Sequence, residues 1–449
     1  MNDDRYSPSL ARGRWVAPVA NGPLSSSLSV PGSKSLTNRE LILSAIADGP
    51  GRLVSPLHSE DSARMVDALR MLGVGVDEVA GGEGMFGPDL LVTPAPLRAG
   101  VTVDCGQAGT VMRFVAPLAG LADGEIVLTA HETALHRPMG AMIHALRDLG
   151  VDVDDEGSWS LPFTIRGHGR IRGGRVEIDA SASSQFVSGL LLAAPRFDVG
   201  LHLVHTGERL PSTPHIDMTV EALHRRGIRV ERPAPGEWLV EAGVPRAKEL
   251  PIEPDLSNAA PFLAAALIAG GEVTVTGWPT HSTQPGAQLP ELLTVLGAHV
   301  TRRGGSLTVR GGRGVRGGDL DLSAVGELTP TFVGLAAFAD TPTTLHGIGH
   351  IRLHETDRIA ALAGNLRALG GEVEEFPDAL RIVPAPLHAG EWPAHHDHRM
   401  ATTGALIGLR VAGIEVDEIG TTAKTLPEFA PLWDRMLGIS QDPAGGSTA

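Results

Sequence analysis

Along this chain, apolar residues recur every three to four positions in short segments, and each segment ends in a glycine, preceded by leucine in five of the six, and a short run holding valine or isoleucine. Met65, Leu69 and Leu72 share one helical face, as do Met142, Ile143, Leu146 and Leu149. The pattern reads DALRMLGVGV, HALRDLGVDV, EALHRRGIRV, ELLTVLGAHV, NLRALGGEV and DRMLGI. Its glycines, Gly73, Gly150, Gly227, Gly297, Gly370 and Gly438, lie 68 to 77 residues apart. Glycine suits a helix end because it enters the left-handed region without a Cβ clash. Each unit also holds an earlier helix, followed by a Val-rich strand such as GRLVS, GEIVLTA or GEVTVTG. The chain therefore reads as six α/β units of order strand, helix, strand, helix, strand, strand.

Three such units approach the size at which a single core stops growing, so the six divide into two domains of three, with a break near Glu241 to Lys248. Small or polar loops precede the first helix of each unit: GSKS (32–35), GQAGT (106–110), SASS (181–184), DLSN (255–258), ELTPT (327–331) and HHDHR (395–399). If the units are pseudo-symmetric, several helix N-termini share one side of each domain. Their free N–H groups favour anions, which points to phosphate chemistry.

Composition narrows the reading. With 42% apolar and 20% charged residues the chain is in the globular range, and 56 Gly with 33 Pro exclude long bundles. The net charge of −15 opposes a broad nucleic-acid or anionic-lipid surface, so a basic site has to be local. A lone cysteine, Cys105, fits a reducing compartment. Met1 to Ala20 lacks an apolar core for a secretory signal, and Ala259 to Gly271 is too short to span a bilayer. These features predict a cytoplasmic protein with no membrane partner.

Of 37 basic residues only Lys34, Lys248 and Lys424 are lysine. A retained lysine in an arginine-using chain suggests a compact ammonium donating in three directions. Lys34 and Lys424 both lie in small-residue loops, whereas Lys248 sits beside Glu249. GSKS is not a nucleotide-binding P-loop, which needs Gly directly before Lys where this chain has Ser33. Its hydroxyls Ser33, Ser35 and Thr37 with Lys34 and Arg39 suit a phosphorylated polyol.

With PGSKSLTNR, GQAGTVMRF, HRPMGAMIHAL, SSQFVSGLLLAAP, PSTPHID, HETDRIAAL, DHRMA and TAKTLPEF in that order, from about Leu28 to Leu437, the chain resembles the 5-enolpyruvylshikimate-3-phosphate synthase family of enolpyruvyl transferases. The resemblance implies a two-domain fold of six βαβαββ units, three per domain, with the active site in the interdomain cleft. It places the first domain at residues 29–243 and the second at 1–28 plus 244–449. It also implies transfer of the enolpyruvyl group of phosphoenolpyruvate to the 5-hydroxyl of shikimate 3-phosphate, in aromatic amino acid biosynthesis, with no cofactor or metal, by a monomer.

By the same resemblance, taken motif by motif, shikimate 3-phosphate would meet Lys34, Ser35, Arg39, Ser183, Ser184, Gln185, Ser212, Glu327 and His354. Phosphoenolpyruvate would meet Lys34, Gly109, Arg137, Gln185, Arg358, Arg399 and Lys424. The hydroxyl adds to C2 while C3 gains a proton, and the resulting tetrahedral ketal phosphate loses phosphate. Glu355 is expected to give the C3 proton, with Glu327 and Lys34 handling the hydroxyl proton and His354 beside them. Six cations, Lys34, Arg39, Arg137, Arg358, Arg399 and Lys424, would offset about five to six negative charges on the substrates. Three lie in each domain, so the empty walls should repel and the substrates should draw them together.

Several positions depart from the family pattern. Glu327 stands for Asp, His350, His396 and Gln107 for Asn, and His354 for Lys, which predicts a charge at His354 that titrates near neutrality. Gly109 matches the position where a larger residue crowds glyphosate, and Phe114 stands where Pro is usual. A transferase acting on UDP-N-acetylglucosamine is the nearest rival, but the loop from His131 to His136 lacks its reactive Cys. A non-catalytic binder of phosphorylated metabolites would keep the same cationic cleft without turnover. The histidines His395, His396 and His398 form a candidate metal site, since clustered imidazoles can ligate zinc. The tail Ser440 to Ala449 reads as a flexible end.

Overall fold

All six repeat glycines end a helix in the left-handed region, with φ between 69° and 98°. At each, the glycine N–H bonds the carbonyl three residues back and the next N–H bonds the carbonyl five back, as in Gly150 to Arg147 and Val151 to Leu146. This pair of bonds closes off the helix C-terminus and turns the chain into the following strand. The computed structural model describes residues 14–81 and 86–439, so the tail Ser440 to Ala449 lies outside the described residues, as does much of the stretch read for a signal. Among the described residues no helix is long and apolar enough to cross a membrane.

Each unit contributes one small sheet. In the second unit, Val101–Asp104 pairs parallel with Asp123–Thr129, which pairs antiparallel with Phe163–His168, which carries Asp152–Asp154 at the edge. The helices Gly109–Ala119 and Gly140–Asp148 fill the connections. The third and fifth units repeat this order. The sixth sheet has three strands, Trp15–Val16 closing against Ile414–Val416 beside Gly390–Trp392.

Two hydrophobic clusters result. One runs from Leu36 to Ile252, and the other gathers Ala17, Leu24, Leu28 and Val30 with Leu256 to Met436. The first and fourth units exchange their opening strands. Leu24–Leu28 pairs parallel with Gly271–Thr276 in the second cluster, while Glu249–Pro251 pairs parallel with Gly51–Val54 in the first. Residues 249–252 therefore pair and pack with the first cluster, although they follow the expected crossing at 243.

Gly150 isolates the role of the glycine caps, because a Cβ there would meet no atom within 4 Å while its φ is +85°. Gly150→Ala is expected to lower stability by about 1–2 kcal/mol through backbone strain alone, read as an earlier urea midpoint with unchanged kcat.

Candidate active site

One cleft between the two clusters is lined by residues of all six small-residue loops: Ser33 to Ser35, Gly109 and Thr110, Ala182 to Ser184, Asp255 with Ser257 and Asn258, Glu327, and His398 with Arg399. These loops open the helices Lys34–Ala45, Gly109–Ala119, Gln185–Ala193, Leu256–Ala269, Thr329–Ala336 and His398–Gly408, so six positive helix ends face one gap. The helix at Gly109 has no side-chain cap, leaving its first N–H groups for a ligand. A Cβ on Gly109 would stand 2.7 Å from Arg113 Nη1, so only glycine leaves that guanidinium in place.

The cleft brings together Lys34, Ser35, Gly109, Arg137, Ser183, Ser184, Gln185, Ser212, Glu327, His354, Glu355, Arg358 and Arg399. Lys424 stands one layer behind, its Nζ 3.1 Å from Glu355 Oε1. Arg39 also lies behind the wall, 1% exposed. It donates to Thr219 Oγ1, to the carbonyls of Ser35 and His215, and to Ser188 Oγ. Arg113 belongs to the motif GQAGTVMRF but was not among the expected ligands; it lines the cleft beside Gln185, 3.3 Å from its Oε1.

Lys34, Arg137, Arg358, Arg399 and Lys424 are all held before any ligand arrives. Lys34 Nζ lies 3.1 Å from Asp61. Arg358 donates twice to Asp397, at 2.7 and 3.0 Å, and to Glu355 at 2.9 Å. Arg399 Nη2 lies 3.8 Å from Glu327, and Arg137 donates to the Gln107 carbonyl at 2.7 Å. Asp61, Asp255, Glu327 and Glu355 stand among the cations, so charge balance without substrate is much closer to neutral than six cations imply. The expected repulsion between empty walls is corrected accordingly. Contacts cross the cleft instead: His215 to Glu327, Ser212 Oγ to His350 Nε2 at 3.4 Å, and Arg209 to Asp378 at 2.9 Å.

The two central glutamates are both carboxylates. Burial alone would raise Glu327, but the His215 ring, Arg399 and the Ser257 hydroxyl hold it well below the usual carboxylate range. Burial likewise opposes ionisation of Glu355, and Lys424, Arg358 and Arg137 outweigh it. Asp255, by contrast, is raised, chiefly by burial. Arg358 is raised against its own burial by Asp397 and Glu355.

His354 differs from the expectation. Burial, reinforced by Arg358, holds it well below its ordinary value, so it is neutral rather than titrating near pH 7. Its Nδ1 accepts from Arg358 Nη1 at 3.2 Å, which leaves the proton on Nε2. Burial lowers His350 to about 4 and also depresses His398, with Arg399 adding to it. Both ring nitrogens of His398 are buried without a hydrogen-bond partner.

The three clustered histidines do not converge. His398 lines the main cleft, while His395 and His396 line a neighbouring pocket with Gln107, Arg137 and Glu355. Among the described residues no group of three or more side chains is arranged to hold a metal ion. Cys105 is buried, and burial followed by Asp104 pushes its thiol up to about 12, which removes it as a nucleophile.

His215 and His398 also line the cleft, although PSTPHID and DHRMA, which contain them, do not mark either as a cleft residue. Asp255, Ser257 and Asn258 were visible only as the loop DLSN.

Paired lobes of βαβαββ units around an anion-adapted cleft are the architecture of enolpyruvyl transferases. The 2.37 Å structure of EPSP synthase from Acinetobacter baumannii superposes with a TM-score of 0.78 at 24% identity, covering 95% of this chain and 98% of that one. The enolpyruvyl transferase NikO from Streptomyces tendae gives 0.73 at 19% identity, with 95% and 98% covered. Sequence then narrows the class. The family model described as EPSP synthase (3-phosphoshikimate 1-carboxyvinyltransferase) matches residues 19–433. A 3-phosphoshikimate 1-carboxyvinyltransferase from Kocuria rhizophila is 50% identical over 430 residues, 94% of this chain and 96% of its own length. The chain belongs to the EPSP synthase family.

Because His350, His354 and His398 are depressed in the folded state, the unfolded chain binds more protons below about pH 6.5. Their contribution to stability is complete above that pH and is lost as pH falls toward the folded values. The ligand-free thermal midpoint is expected to drop between pH 6.5 and 4.5, and a pH-independent midpoint over that window would contradict buried neutral imidazoles.

Proposed function

We propose that this protein transfers the enolpyruvyl group of phosphoenolpyruvate to the 5-hydroxyl of shikimate 3-phosphate, releasing phosphate, as a cytoplasmic monomer of the shikimate pathway. The observation that carries the reading is family membership together with Glu355 held between Lys424 and Arg358 at the cleft. In this reading the lobes are residues 31–252 and the remainder. Lys34, Ser35, Ser183, Ser184, Gln185 and Ser212 take shikimate 3-phosphate, with Arg39 bracing them from behind. Gly109, Arg137, Arg358, Arg399 and Lys424 take phosphoenolpyruvate, and the uncapped helix end at Gly109 supports an anion there.

Chemistry follows from the electrostatics. The hydroxyl oxygen attacks C2 as its proton passes to Glu327, whose carboxylate is kept ionised by its neighbours. Glu355 delivers a proton to C3. In the empty cleft it is a carboxylate because Lys424 and Arg358 favour that form. An anionic substrate on those cations weakens their hold, and burial then favours the protonated acid. Phosphate leaves the tetrahedral ketal as Glu355 takes a proton back from the methyl carbon. Neutral His354 supplies an Nε2–H donor beside the hydroxyl in place of a fixed charge.

A coupled phosphate assay tests the assignment. Phosphate release is expected with shikimate 3-phosphate as acceptor and not with UDP-N-acetylglucosamine, and the reverse result would overturn it. Glu355→Gln, which keeps size but cannot deliver the proton, is expected to lower kcat by about 100-fold or more while shikimate 3-phosphate affinity by calorimetry changes little.

A further inference from the structure

Glu327 has two oxygens and two dedicated partners. Ser257 Oγ donates to Oε1 at 2.5 Å from the same lobe, and His215 Nε2 meets Oε2 at 2.5 Å from the opposite lobe. With Glu327 ionised, two lone pairs could not approach so closely, so Nε2 carries the hydrogen and His215 donates. The imidazole is itself held. His215 sits in the first turn of Thr213–Arg225, shortly after Ser212 in left-handed backbone at φ 51°. Its carbonyl accepts from Arg39 Nη2 at 2.8 Å, from Thr219 Oγ1 at 3.1 Å and from Ser188 Oγ at 3.3 Å. Buried Arg39 therefore fixes the turn that aims the ring.

We propose that His215 is a positioning residue for Glu327, reaching across the cleft so that the hydroxyl's proton acceptor is oriented only when the lobes meet. This rests on the reading of Glu327 as that acceptor. In the step concerned, the substrate O–H bond breaks as oxygen bonds to C2, the proton goes to Glu327, and His215 keeps its own hydrogen throughout. The Glu327 arm spans the gap and ends in contact with His215. Arg399 faces Glu327 from its own lobe. Arg39, Asp255, His350, His354 and Arg358 contribute to the same field.

A double-mutant cycle on the full-length enzyme tests the proposal, with single-turnover rates measured at saturating substrates. His215→Leu is expected to lower the rate at least tenfold while leaving the KM for phosphoenolpyruvate within threefold. His215→Gln, which keeps a donor, recovers most of the loss. In a Glu327→Gln background, His215→Leu changes the residual rate by less than twofold. Should the leucine variant not fold, His215→Ala takes its place in the cycle. Equal losses in both backgrounds, or a glutamine variant no better than leucine, would overturn the positioning role. A Glu327→Gln enzyme with the full wild-type rate would instead remove the acceptor reading itself, and that result is seen in the single variant alone.

Discussion

A cleft built to receive two multiply charged anions has to exist without them, and cations at close quarters with nothing between would drive the lobes apart. This protein meets the constraint with carboxylates that occupy the positive groups in advance. Asp397 shows how economical the device is. It accepts two bonds from Arg358 and one from the Arg399 backbone N–H, capping the helix His398–Gly408 while fixing the Arg358 guanidinium. Glu355 plays the same part between Arg358 and Lys424, with the difference that it faces the cleft. One carboxylate thus serves as counter-ion to a cation from each of two segments while lining the gap itself.

The histidines extend this logic. A permanently charged side chain at position 354 would add to an already crowded positive field beside Arg358. A buried imidazole gives up that charge and retains a directed N–H. His350 and His398 are likewise neutral through burial. The unpartnered ring nitrogens of His398 and the buried Nε atoms of Arg113 and Arg137 leave hydrogen-bonding capacity at the cleft that the protein does not itself use. Unsatisfied buried polar groups are expensive, and their gathering around one gap marks where a polar ligand offsets the cost.

Much of the fold was legible because its demands are local. A left-handed residue after a helix selects glycine, so six glycines announced six units, and the units' small-residue loops announced which helix ends would matter. The motifs that line the cleft were legible for the same reason, each being a short run on one loop. What stayed hidden depends on contacts between remote segments. Arg39 reads as a ligand by its motif, but only the fold shows it committed to the His215 turn. His354 reads as a titrating switch because burial cannot be seen in HETDR. The pairing of Lys34 with Asp61 or of His215 with Glu327 leaves no periodic trace, and the strand exchange between Leu24–Leu28 and Glu249–Pro251 has no marker in either segment.

That exchange shapes how the molecule comes into being on the ribosome. Leu24–Leu28 is made among the first segments, yet the strand it pairs with, Gly271–Thr276, appears roughly 250 residues later, about 12–50 s at ordinary translation speeds. Meanwhile everything from Leu36 to Ile252 can condense around its own nucleus. The first half thus has all of its core residues before Gly271–Thr276 emerges, while a short, serine-rich strand still lacks its partner. The low apolar content of LSSSL suits a segment that has to wait in water without sticking to a neighbour.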